Sequence, residues 1–178
     1  MSLGPARSGD TPTDPRIAIP DPALEPITDR LWPPALDYRR YITPHFQLHE
    51  FAQPAGYGCP AEPYPEQWVQ DRLLPLCELL EVLREHLGAP IAIISGYRSP
   101  RYNAALRAAG HAGVALHSQH CEGRAADVIC GRDAPRVHAA VLQLYQEGRL
   151  PHLGGLGRYP SWTHLDVRLS ASLVRWDG

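Results

Sequence analysis

The run Ser118-Gln119-His120-Cys121-Glu122-Gly123-Arg124-Ala125-Ala126-Asp127 decides how this chain is read. It sets a histidine seven residues before an aspartate, with a glycine and small residues between them. Gly123 lets the backbone turn and approach closely, and Arg124 to Ile129 then reads as a strand. An aspartate inside Ala125-Ala126-Asp127-Val128-Ile129 is costly to bury alone, whereas a cation compensates it. A further histidine stands in Trp162-Thr163-His164-Leu165-Asp166-Val167. On that strand Trp162, His164, Asp166 and Arg168 share one face, while Thr163, Leu165 and Val167 share the other, apolar one. Two histidines and one carboxylate form a ligand set that holds zinc and leaves a fourth position for water. His120, Asp127 and His164 are therefore the candidate metal ligands, if they converge. Without convergence, His120 is a loop histidine, Asp127 a capping or salt-bridged carboxylate, and His164 part of an ordinary exposed face.

Around these motifs the pattern is α+β. Val69, Leu73, Leu76, Leu80, Leu83 and Leu87 are spaced alternately four and three apart, which predicts one helix over about 66–87. Pro75 should kink or divide it, and Gly88 with Pro90 should end it. Ile91 to Ser95 reads as a buried strand. Ser99-Pro100 signals a helix start, with the helix over Tyr102 to Ala109. Asp133 caps a third helix, Ala134 to Glu147, which buries Val137, Val141 and Leu144. Gly154 to Arg158 and Trp162 to Arg168 read as strands joined at Pro160-Ser161. The segment His45 to Phe51 is a short element before a loop. Residues 1–36 carry Pro5, Pro12, Pro15, Pro20, Pro22, Pro26, Pro33 and Pro34, a density that predicts an extended arm or a disordered tail ahead of a domain over 37–178.

At 178 residues the chain suits one domain with a sizeable core. Its formal net charge of −2 offers no basic field for nucleic acid. No apolar run reaches membrane-span length, and no leader is expected from Met1 to Asp10. Composition does not bear on the oligomeric state or the compartment. None of the four cysteines, Cys59, Cys77, Cys121 and Cys130, forms a CxxC pair, which argues against a zinc knuckle. Cys77 reads as a buried small hydrophobe, and Cys121 as a packed thiol rather than a fourth ligand. No GxSxG or cysteine-nucleophile motif is present.

Ser95-Gly96-Tyr97-Arg98-Ser99-Pro100, Ser118-Gln119-His120 through Asp127, and Gly155-Leu156-Gly157-Arg158-Tyr159-Pro160 through Arg168 resemble the zinc D-Ala-D-Ala carboxypeptidase family. That family includes the VanX and VanY peptidases and phage endolysin peptidases, and shares its fold with hedgehog signalling domains. The resemblance spans roughly Phe46 to Trp176. It implies a small antiparallel sheet with packed helices, a Zn²⁺ ion on His120, Asp127 and His164, and hydrolysis of a peptide bond in peptidoglycan peptides. By the same resemblance Arg98 stabilises an oxyanion or positions substrate, and Ser118 and Gln119 flank the substrate groove. Tyr97 adjoins the motif and is a further substrate-binding candidate. The better-known members carry an acidic residue three positions before the last histidine, as general base. Here Ser161 stands there, and a serine does not accept the proton as a carboxylate does. Asp166 is then the first candidate for the base, and it could equally hold a ligand or an arginine in place; Glu122 is second and Glu50 remote. Two other readings stay open: a zinc-binding wall-recognition module that does not hydrolyse, and a phage or secretion-system structural component docked through its proline-rich arm.

Overall fold

A computed structural model describes residues 37–178 apart from Ala112 and Arg132, so the proline-rich arm lies outside the described residues. Strands β1 (Tyr41–Thr43) and β2 (Phe46–Gln47) pair as a small antiparallel ribbon. Two short helical segments, Glu66–Trp68 and Val69–Leu73, then lead into α1 (Leu74–Leu87). The predicted long helix is thus divided where Pro75 enters the first turn of α1, a position that needs no backbone donor. Its stripe holds: Leu73, Leu76, Leu80 and Leu83 are fully buried. Gly88 ends α1 in the left-handed region, at φ 63°.

Strand β3 (Ala92–Ser95) leads to α2 (Pro100–Ala108), whose cap Ser99 accepts from Tyr102 N. Strand β4 (Ala125–Ile129) is followed by α3 (Ala134–Gln146), capped by Asp133 Oδ1 at 2.9 Å from Arg136 N. Strands β5 (Gly155–Arg158), β6 (Thr163–Asp166) and β7 (Val174–Asp177) complete the chain. The larger sheet runs β3-β4-β6-β5-β7. Its pairs are antiparallel except β5–β7, which is parallel. The expected α+β class with a small antiparallel sheet and packed helices holds, and the larger sheet is mixed because β7 joins β5 in parallel. One sequence expectation fails in detail. β3 is not a buried strand but the sheet's edge, with Ile94 half exposed, although Ile91 just before it is buried.

Register organises the sheet into rows. Ser95 lies opposite Asp127, Asp127 opposite His164, His164 opposite Gly157, and Gly157 opposite Trp176. A second row runs Ala125, Asp166, Gly155, Val174. Because side chains alternate along a strand, both rows face the same way. The other face carries Ala126, Val128, Leu156, Thr163 and Leu165, all fully buried. Helix α3 packs on β5 and β6, and Thr163 Oγ1 donates to Ala134 O at 3.3 Å. The sheet thus keeps an apolar face for α3 and a polar face for chemistry.

The chain reaches that polar face through close backbone approaches. Tyr97 N donates to Phe51 O at 2.8 Å, and a Cβ on Gly96 would lie 2.5 Å from Phe51 Cα. Gly96→Ala must push two backbones apart. It should lower the unfolding free energy by about 1–3 kcal/mol, the usual cost of overpacking, measured by urea denaturation; an unchanged midpoint would contradict this packing.

Candidate metal centre

The β4–β6 register sets Asp127 and His164 side by side, with His164 Nδ1 2.8 Å from Asp127 Oδ1. His120 arrives from outside the sheet on a tight turn. The turn is closed by Gly123 N to His120 O at 3.1 Å and Arg124 N to Gln119 O at 3.0 Å. Gly123 sits at φ 63°, which only glycine adopts freely, and any Cβ there would meet the Tyr64 and Trp68 rings. Tyr64 Oη donates to Gly123 O at 2.6 Å and pins the turn. Arg98 N donates to His120 O at 3.2 Å, and His120 N donates to Ser118 Oγ at 3.3 Å. His120 Nε2 then stands 3.2 Å from both Asp127 Oδ1 and His164 Nδ1. All three residues are buried, and they form the one group of three or more metal-ligating side chains found among the described residues.

The partners behind the imidazoles decide which nitrogens face the centre. His120 Nδ1 donates to Gly96 O at 2.6 Å. A carbonyl can only accept, so Nε2 keeps its lone pair toward the other two groups. His164 Nε2 lies 3.2 Å from Asp166 Oδ2, which leaves Nδ1 as the inward atom. Metal-binding histidines are held in this way by a carbonyl or carboxylate on the far nitrogen. Three buried donor atoms, each aimed at the others and two of them braced from behind, fit a divalent metal.

The charges of His120 and Asp127 are consistent with that fit. Burial, helped by the Arg98 guanidinium, pushes His120 down to about 4, so it is neutral and able to donate a lone pair at pH 7. Burial alone would raise the Asp127 carboxyl. The side chains of His120 and His164 outweigh it and hold Asp127 well below the usual carboxylate range. Burial would likewise lower His164, but hydrogen bonds to Asp127 and Asp166 outweigh it and raise the imidazole. Arg98 NH2 donates to Asp127 Oδ2 at 2.5 Å, and its Nε donates to Ser95 Oγ at 2.8 Å.

The centre opens on a cleft of about 200 Å³. Arg98, Ser118 and Gln119 line it beside the three metal candidates, with Tyr159, Trp162 and Trp176 as an aromatic wall. Tyr159 stacks on Trp162 at 4.6 Å between ring centroids, and Trp176 Nε1 donates to Tyr159 Oη at 3.1 Å. The Trp176 ring packs against His164, with centroids 5.1 Å apart. Gly157 makes the space, since a Cβ there would run into the Trp176 indole.

Four of the candidate residues meet a different geometry. Asp166 stands behind His164 and away from the cleft. It is fully buried, and Arg168 holds it with Nε at 2.7 Å and NH2 at 2.5 Å. Burial would raise its carboxyl, but those bonds, with the one to His164, bring it down to about 2. A carboxylate so held is a weak proton acceptor. Tyr97 does not reach the cleft: its ring is buried edge-on to Tyr64 and Trp68. Glu122 is exposed and bonded to Arg72, while Glu50 caps the Leu48–Phe51 turn through Gln47 N. Among the described residues the four cysteines are unbridged, and Cys121 is not part of the metal-ligating group. Sequence reading assigned Trp176, Gly155 and Gly157 no role at the site. Their signal is the Gly-x-Gly of β5, which faces the His-x-Asp of β6 position for position.

Two histidines and a carboxylate at the floor of an open cleft are the donor arrangement of metal-dependent hydrolases. A family model described as Peptidase M15 matches residues 44–166. The chain belongs to the peptidase M15 family, and its chemistry is that of a metallopeptidase. No curated protein and no solved structure matches it.

If Asp166 braces His164, Asp166→Asn should weaken zinc binding by about 10–100-fold, read by competition with a chromophoric chelator. Unchanged affinity together with lost turnover would put Asp166 in the chemistry instead.

Proposed function

We propose that the protein is a zinc peptidase that cleaves a peptide bond in peptidoglycan peptides, as a D,D-carboxypeptidase or an endopeptidase. The observation that carries this reading is the convergence of His120 Nε2, Asp127 Oδ1 and His164 Nδ1 at the floor of an open cleft. His120, Asp127 and His164 would hold the zinc. Bound there, the ion supplies Lewis acidity and makes a water acidic enough to ionise near neutral pH.

The remaining steps belong to side chains. Arg98 keeps Asp127 ionised and oriented, and its guanidinium lies along the cleft, where negative charge on a scissile carbonyl oxygen would develop. Ser118 and Gln119 line the approach, offering a hydroxyl and an amide to a peptide backbone. The aromatic wall of Tyr159, Trp162 and Trp176 excludes water from one side and suits the apolar side chains of a short peptide. Asp166 and Arg168 act through His164 as positioning residues.

A second reading has its own observation. Asp127 is the sole carboxylate among the described residues lining the cleft, and it is already a metal candidate. A zinc-binding wall-recognition module without turnover would look the same in this respect.

Digestion of purified muropeptides, with products identified by mass, separates the two. The peptidase reading expects a new amine and carboxylate in wild type, and loss of both on His120→Ala or on chelation, with restoration by zinc. Zinc retention and muropeptide binding without any cleaved product would favour the recognition module.

A further inference from the structure

Peptide hydrolysis needs a group that takes a proton from the attacking water and returns one to the leaving amine. The polar face of the sheet supplies no evident one. Asp127 is engaged by Arg98, His120 and His164. Asp166 is fully buried behind His164 and held in the Arg168 fork. Glu122 and Glu50 are bonded elsewhere and do not line the cleft. Arg98 and Arg168 also line it, but guanidinium groups carry no acceptor. The Tyr159 hydroxyl already accepts from Trp176 Nε1, and its ring is fixed against Trp162.

Two histidines outside the metal group remain on the cleft wall, His111 and His117. His111 Nε2 lies 2.7 Å from Tyr57 Oη, and its ring is edge-on to Tyr57 at 5.1 Å. His117 differs. It is exposed, and among the described residues it has no hydrogen-bond or ion-pair partner. Its backbone is nonetheless well placed. It directly precedes Ser118, which is buried and receives the His120 N–H, and Asn103 Nδ2 holds Ala115 O at 2.9 Å two residues earlier. A free imidazole therefore stands on an anchored segment, three residues before a metal candidate and on the wall of the same cleft.

We propose that His117 is the proton-transfer residue of this active site, filling the role that Ser161 leaves open. The inference rests on the peptidase reading. As the water oxygen bonds to the scissile carbonyl carbon, one water proton passes to the neutral ring nitrogen of His117. As the C–N bond breaks, the same proton passes from the imidazolium to the leaving amine nitrogen. The remaining water proton leaves the new carboxyl group for the amine, so the products are a carboxylate and an ammonium, and His117 returns neutral. A neutral imidazole has one ring nitrogen that accepts a proton and can hand it on, so it suits both transfers. The charged and titratable groups that line the cleft with it are Arg98, His120, Asp127 and His164 at the floor, His111 on its own segment, and Arg168 and Tyr159 from the β5–β6 side.

The test compares wild type, His117→Ala, His117→Gln and His120→Ala on purified muropeptides, with zinc content measured for each. His117 lies exposed on the surface, so both of its variants should fold and keep zinc. Each should lose about 10²-fold or more in kcat with little change in KM. Added imidazole should restore part of the His117→Ala rate but none of the His120→Ala rate. If both His117 variants turn over within about 2-fold of wild type while His120→Ala is dead, the role assigned to His117 is wrong and the peptidase stands. If wild type and His120→Ala are equally inactive on every muropeptide, the peptidase reading fails and takes this inference with it.

Discussion

The pairing of β4 with β6 is the constraint on which the rest depends. An antiparallel ladder places opposed residues within side-chain reach on one face. Here that puts Asp127 against His164. A one-residue slip would turn both into the apolar layer under α3 and bring Ala126 or Leu165 out in their place. The register is fixed because the opposite face is fully buried: Val128, Leu165 and Leu156 have one place to go. The hydrophobic effect, acting on the helix side, thus sets the geometry of a polar centre it does not touch.

A buried cluster of this kind also needs its charges compensated. Asp127 has Arg98 on its outer oxygen, and Asp166 has Arg168. Each arginine is itself placed: Arg98 by Ser95, Arg168 over the Trp176 ring at 5.3 Å. Glycines give the space this packing requires. A side chain at Gly155 would enter the Asp166 carboxylate, and one at Gly157 would enter Trp176. The chain therefore devotes two of the four β5 residues to making room, a cost in strand propensity that makes sense only if the neighbouring row must hold bulky polar groups.

Much of this was legible in the sequence, for definite reasons. Helices α1 and α3 announced themselves by apolar spacing, and α2 and α3 by the Ser99 and Asp133 caps, which are local signals. The convergence of His120, Asp127 and His164 was legible because an aspartate in an apolar strand and a histidine on a polar strand face are both costly without a reason. Strand β7 was not, because its partner β5 lies well upstream and its own residues are mostly exposed, so no periodicity marks it. The edge position of β3 was hidden for a related reason: an apolar run looks the same in a central strand and at an edge. Between the two roles open to Asp166, sequence spacing gave its face but not its partner. Only the Arg168 fork shows that it backs His164. His117 was passed over because a loop histidine carries no pattern of its own.

These features give a metallopeptidase centre in which structure and chemistry share one strand register. The most direct measurement is X-ray absorption at the zinc edge of the zinc-loaded protein. The account predicts two imidazole nitrogens with oxygen donors at about 2.0–2.2 Å and no sulfur. Scattering from a sulfur at about 2.3 Å, which would bring in Cys121, or a shell without imidazole, would contradict it.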